Sequence, residues 1–155
     1  MKTLGRFWLY LTASFLAASL GGLATASSVK TWYPLLTKSS WNPPSWLFGP
    51  VWSVLYAGMA VVAYRLYRLR DKPGVGRTLA LWWVQLGLNA LWSVLFFGLR
   101  RPGIALVEVL VLWLTLVVIE IRLLPIDRTG RWIWGAYLSW VSFATLLNAA
   151  IWRLN

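Results

Sequence analysis

GIALVEVLVLWLTLVVIEI, residues 103–121, runs for 19 residues with only Glu108 and Glu120 charged. A helix rises about 1.5 Å per residue, so a run of this length spans roughly the 30 Å hydrocarbon core of a bilayer. Apolar stretches of similar length lie on either side of it, at residues 7–28, 46–64, 79–99 and 132–152. Helices satisfy their own backbone polar groups in lipid, so the pattern predicts an all-α integral membrane bundle of five transmembrane helices, one domain over residues 1–155. Composition agrees: 59% of residues are hydrophobic, 12% are charged, and mean hydropathy is +0.65.

The net charge of +11 points to headgroups, not to nucleic acid, because the cations crowd into the connections between spans. Ten of the fifteen Lys and Arg fall on one side, at Lys2, Arg6, Arg65, Arg68, Arg70, Lys72, Arg77, Arg122, Arg128 and Arg131. Lys30, Lys38, Arg100, Arg101 and Arg153 fall on the other. That bias predicts a cytoplasmic N-terminus, an external C-terminus and a multi-pass protein of a bacterial cell membrane. The first span ends in Ala24-Thr25-Ala26, which resembles a signal-peptide cleavage site. It is expected to stay, because it is long for a signal segment and because Ala13, Ala17, Gly21 and Thr25 form a small-residue stripe suited to helix packing in lipid.

Absence of cysteine and histidine excludes disulfides, thiolate chemistry and the usual metal or haem ligands, so no metal site and no obligatory cofactor is expected. The 13 tryptophans lie mainly near span ends. The first connection, residues 29–45, is the long one, and it holds Trp32-Tyr33-Pro34 and Trp41-Asn42-Pro43-Pro44-Ser45. Proline stiffens it, and it fits either an external lid over the bundle or an interfacial aromatic belt.

Three spans gather aromatic, amide and small residues on one face. Trp52, Tyr56, Met59 and Ala63 share a stripe in the second, Gln85, Asn89, Trp92 and Phe96 in the third, and Tyr137, Trp140, Ala144 and Asn148 in the fifth. Asn89 sits near mid-span, where its amide must bond within the bundle or to a ligand. Apolar walls with a few polar anchors are the composition of a ligand pocket. On the third span Trp83, Gly87 and Ala90 offer a second, small-residue surface on which two subunits could meet as a homodimer.

The blocks Trp41-Asn42-Pro43-Pro44-Ser45-Trp46 with Gly49-Pro50-Val51-Trp52-Ser53-Val54-Leu55-Tyr56, then residues 85–98, then residues 137–148, resemble the translocator protein family, also called tryptophan-rich sensory proteins (TspO/MBR). The resemblance covers essentially the whole chain. It implies a five-helix membrane bundle, often dimeric, whose pocket is roofed by the first loop and binds tetrapyrroles such as protoporphyrin IX and haem, together with small apolar drugs. Carried onto this sequence, it implies Trp52, Asn89 and Trp140 as principal ligand contacts, with Tyr56, Trp92, Phe96 and Ala144 beside them. The sterol motif of animal members is only partly matched: Ala149 and Ala150 stand at its aromatic positions, although Trp152 and Arg153 remain. Ile104 stands where animal members carry tryptophan.

A dicarboxylic porphyrin further suggests Lys30, Lys38, Arg100 and Arg101 as propionate partners, with Trp32 and Tyr33 in the lid. Glu108 and Glu120, about 120° and about 18 Å apart on one helix, cannot act as a catalytic pair. Structural or helix-end roles are expected for both, Glu120 pairing with Arg65 or Arg122. The favoured function is a membrane receptor or carrier for porphyrins and related apolar ligands. The alternatives are light-dependent porphyrin breakdown, for which the resemblance points to oxidation chemistry at Trp52 and Trp140, and a stress-linked regulatory scaffold with a secondary pocket. No catalytic nucleophile or conventional general base is present in the pocket residues.

Overall fold

The computed structural model describes residues 2–155, with side chains from Leu4 onward. The Lys2 side chain, counted above among the inner cations, lies outside the described residues. The elements are α1 (Lys2–Ala26), a short α2 (Ser28–Thr31), α3 (Phe48–Arg68), α4 (Val75–Ser93) continued by a π-turn (Val94–Gly98), α5 (Pro102–Ile126) and α6 (Arg128–Leu154). The five long helices close into a ring in the order α1, α3, α6, α5, α4, with α3 also touching α4 across the interior. The chain is thus an all-α helical bundle.

Four helices are long and apolar enough to cross a membrane, at Leu4–Ala26, Ser45–Arg68, Val75–Gly98 and Pro102–Ile126. The fifth, α6, has 27 residues, or about 40 Å, and is more polar because Tyr137 and Asn148 on its inner face bond within the bundle. Several helices outrun the spans expected from hydropathy. α5 extends to Ile126 and α6 begins at Arg128, which leaves Asp127 alone between them. Hydropathy marks only the hydrocarbon, whereas the helices continue into the headgroup layer. Residues 29–45, expected as loop, contain α2 and a 3₁₀ turn at Tyr33–Leu35, and a second such turn, Ser45–Leu47, leads into α3.

Lipid is as apolar as leucine, so packing and hydrogen bonds hold the helices together. Indole N–H groups supply part of this. Trp82 donates to the Met59 carbonyl at 3.0 Å, Trp134 to the Leu116 carbonyl at 3.1 Å, and Trp113 to Ser142 Oγ at 2.7 Å. Each ties one helix to another. On α1, Ala17 and Gly21 of the small-residue stripe are buried, and Ala13 and Thr25 are half-buried. A Cβ on Gly21 would lie 3.0 Å from Ser93 Oγ, so the absent side chain sets how near α1 lies to α4.

Two ion pairs hold the end of the bundle where α5 meets α6. Glu120 accepts from Arg131 Nε at 2.9 Å, in place of the expected Arg65 or Arg122. The reason is the early start of α6, which sets Arg131 beside the last turns of α5. Arg65 instead makes a two-pronged pair with Asp127, both contacts at 2.7 Å. The Arg65 guanidinium holds the Asp127 carboxyl below the ordinary carboxylate range, against the opposing cost of burial, helped by the backbone N–H groups of Gly130 and Thr129. A depressed folded-state pKa gives stability that is fully present above the unfolded value of about 3.9 and lost as pH falls through the folded value. Asp127→Asn should therefore cost about 1–2 kcal/mol at neutral pH, discounted for the part-exposed arginine, and remove the acid-side loss of stability. Unfolding midpoints of both forms across the acid range check this. Parallel curves would reject it.

Candidate functional site

A cavity of about 290 Å³ opens inside the ring near the first connection. Its walls come from α1, α3, the end of α4 with its π-turn, and α6, and Val29 and Tyr33 of the first connection close it. The π-turn is marked by the Leu99 N–H donating to the Val94 carbonyl at 2.8 Å. Two successive rings within it, Phe96 and Phe97, both line the cavity. Phe96 stacks on Trp92 at 5.3 Å between ring centroids. On α3 Trp52 meets Tyr56 at 5.7 Å, and it meets Tyr137 of α6 at 6.3 Å.

Below the rings lies a buried polar chain. The Tyr56 hydroxyl donates to Asn89 Oδ1, Asn89 Nδ2 donates to the Tyr137 hydroxyl at 2.8 Å, and that hydroxyl donates to Gln85 Oε1 at 2.9 Å. Gln85 Nε2 ends it at Met59 Sδ, 4.0 Å away. Asn89 thus bonds tyrosines on two neighbouring helices, so the bundle meets its requirement for a partner. Nearer the mouth, Asn148 accepts from Trp92 Nε1 at 3.0 Å and donates to the Pro102 carbonyl at 2.8 Å. Both asparagines line the cavity with their amides already engaged. What faces a ligand is mainly ring and methyl surface.

Residues 10–153 match the family described as TspO/MBR. The chain belongs to the TspO/MBR family. It is 38% identical over 151 residues to the tryptophan-rich protein TspO of Archaeoglobus fulgidus, covering 95% of this chain and 97% of the relative. It is 38% identical over 149 residues to the tryptophan-rich sensory protein of Cereibacter sphaeroides, covering 95% and 91%. With the human translocator protein it shares 33% over 156 residues, covering 96% and 91%. It is accordingly an integral multi-pass membrane protein.

Of the ligand contacts that membership in the TspO/MBR family suggests, Trp52, Tyr56, Asn89, Trp92, Phe96 and Ala144 line the cavity. Trp140 does not. Its ring packs on Phe48 at 6.0 Å and Phe143 at 5.7 Å, and its indole N–H is buried with no partner among the described residues. Phe48, on which Trp140 packs, is itself part of the lining. In the lid, Tyr33 lines the cavity, while Trp32 faces a second groove with Arg100 and Arg101. None of the four suggested propionate partners lines the cavity. Lys38 Nζ donates to the Leu36 carbonyl at 2.9 Å and lies 4.8 Å from the Tyr33 ring centroid, and Arg100 Nε donates to Ser28 Oγ at 3.3 Å. Lys30 is exposed. Glu108 is buried in α5, away from the cavity lining, and neither carboxyl oxygen has a partner among the described residues.

Sequence reasoning did not find the contribution of α1, whose Gly21, Gly22 and Thr25 form one cavity wall. The signal is the small-residue stripe, whose missing side chains leave room for a ligand as well as for close packing. It also missed how the lid is held. Asn155 Oδ1 accepts from the Thr37 backbone N–H at 3.0 Å, and Asn155 Nδ2 donates to the Thr37 carbonyl at 3.0 Å and the Ile151 carbonyl at 2.8 Å. This clasp fastens the lid to the end of α6. Asn155→Ala should speed both entry and release of a cavity ligand in stopped-flow mixing, with little change in overall stability. Unaltered rates would mean that the clasp does not limit access.

Proposed function

We propose that the protein is a membrane receptor or carrier for flat apolar ligands of the porphyrin class, protoporphyrin IX and haem among them, held in the cavity between α1, α3, α4 and α6. The observation that carries this reading is the two aromatic pairs, Trp52 with Tyr56 and Trp92 with Phe96, that line one largely apolar space. Aromatic pairs add about 0.5–1.5 kcal/mol each beyond area burial, so such a lining can hold a planar guest without a metal bond. The volume of about 290 Å³ stands at the low end of ligand pockets. A tetrapyrrole therefore requires the lid to move outward.

No described residue of the cavity is a histidine, cysteine or acid. Metal-free protoporphyrin should then bind within about threefold of haem, because the grip is on the ring and not on iron. Titration in the dark, followed by porphyrin absorbance and protein fluorescence, measures both. A preference for haem of tenfold or more would indicate an iron ligand and overturn this account of the site.

Light-dependent porphyrin breakdown remains a second reading because oxidisable rings cluster at the wall. Trp52 contacts Tyr56 and Tyr137, and Trp134 meets Tyr137 at 5.3 Å. Illuminating the complex and following porphyrin absorbance separates consumption from binding. A regulatory scaffold would show neither. The exposed Trp83 and Gly87 on α4 offer the face on which a homodimer would form.

A further inference from the structure

The second groove lies where the lid, the α4–α5 turn and the end of α6 meet. It encloses about 470 Å³ and is lined by Trp32, Leu36, Arg100, Arg101, Ile104 and Trp152 among others. Arg100 bonds only Ser28, Arg101 makes no side-chain hydrogen bond or ion pair among the described residues, and no acidic residue lines the groove. Arg100 also holds a left-handed backbone, φ 54°, fixed where the Arg101 N–H donates back to the Leu95 carbonyl at 3.0 Å. Two arginines that line one groove, neither paired with an acidic side chain among the described residues, match a phosphate, which guanidinium groups can grip in two-pronged fashion. The N–H groups of Gly103 and Ile104 in the first turn of α5 precede any intrahelical acceptor and add to the positive end.

The apolar side of the groove says which phosphate. Ile104, Val107, Val111 and Leu114 follow one another along one exposed face of α5, 55%, 65%, 48% and 58% accessible. That face leads from the arginines down into the hydrocarbon. It provides a track for an acyl chain directly below a headgroup site. The exposed Trp152 indole flanks the mouth at the level where amphipathic rings sit in a bilayer.

We propose that this groove binds the headgroup of an anionic glycerophospholipid, with one acyl chain along α5. The bound lipid also touches the machinery of the cavity. Trp32 and Leu36 pack in one cluster with Tyr33, Phe96 and Ile151, and these last three line the cavity. Occupation of the groove therefore braces the lid and one cavity wall from outside.

Native mass spectrometry of the full chain in mild detergent tests this, with titration by dioleoyl phosphatidylglycerol, dioleoyl phosphatidylcholine and glycerol 3-phosphate. One phosphatidylglycerol per chain should be retained at least about tenfold more tightly than phosphatidylcholine, as two nearby arginines imply. Arg101→Gln and the double variant Arg100→Gln/Arg101→Gln should abolish that preference, and Val107→Gln should weaken both lipids. Arg101→Gln leaves the Arg100 bond to Ser28 in place and decides the matter if the double variant does not fold. Equal retention of the two lipids, an unchanged preference in Arg101→Gln, or displacement of lipid by an equal concentration of glycerol 3-phosphate would each overturn the proposal. Porphyrin titration is read separately, so its failure leaves this result standing.

Discussion

Asn89→Leu should lower the stability of the bundle by about 2–3 kcal/mol, measured as the shift in denaturant-driven unfolding in mixed micelles. The amide is the hinge of the chain that runs from Tyr56 through Tyr137 to Gln85. Leucine of similar size fills the space but leaves the Tyr56 hydroxyl without an acceptor and the Tyr137 oxygen without a donor, and lipid offers neither a substitute. A single bond between membrane helices is worth only about 0.6 kcal/mol on average, so the larger figure depends on stranding two buried hydroxyls at once. Combining Tyr56→Phe with Asn89→Leu removes one stranded group. The double variant should therefore lose less than the sum of the two single losses. A loss below about 0.5 kcal/mol for Asn89→Leu would show that the chain is not a structural bond.

Trp52→Ala should weaken protoporphyrin binding by about 30- to 150-fold, whereas Trp140→Ala should weaken it less than about tenfold. Trp52 presents its ring to the cavity and is backed by Tyr56 and Tyr137, so truncation removes both burial and ring contact, about 2–3 kcal/mol together. Trp140 is outside the lining and touches it through Phe48. Porphyrin absorbance is the suitable readout, since both substitutions alter protein fluorescence. If the two losses were equal, Phe48 would have to swing aside when ligand enters, and the cavity described here would be a closed form of the site.

Residues 103–121 and the other apolar runs made the five-helix bundle readable, because the bilayer sets span length more tightly than water sets the length of a soluble helix. Trp52, Asn89 and Ala144 were readable as one site because helical periodicity places Trp52 with Tyr56, and Asn89 with Phe96, on inward faces. Trp140 marks the limit of that reasoning. The buried residues of α6 include Tyr137, Val141, Ala144, Leu147, Asn148 and Ile151, and the last four line the cavity. Trp140 points within about 20° of Leu147 and of Ile151, so it shares their face of α6, yet its ring is turned onto Phe48 and Phe143 and does not line the cavity. Period gives the direction of a side chain and not which neighbouring ring it packs on. Ion-pair partners were less legible still. The pairing of Glu120 with Arg131 and of Arg65 with Asp127 depends on where α6 starts, and hydropathy placed that start four residues late.

The π-turn at Val94–Gly98 is geometrically an α-helix that has taken in one additional residue. A relative whose corresponding helix is one position shorter should therefore keep the same backbone path up to Ser93 and present a single phenylalanine where this protein presents two. Alignments that force an ungapped match across this helix would then pair residues about 100° apart around it, and ligand preferences inferred by transferring positions beyond Ser93 would be displaced by one.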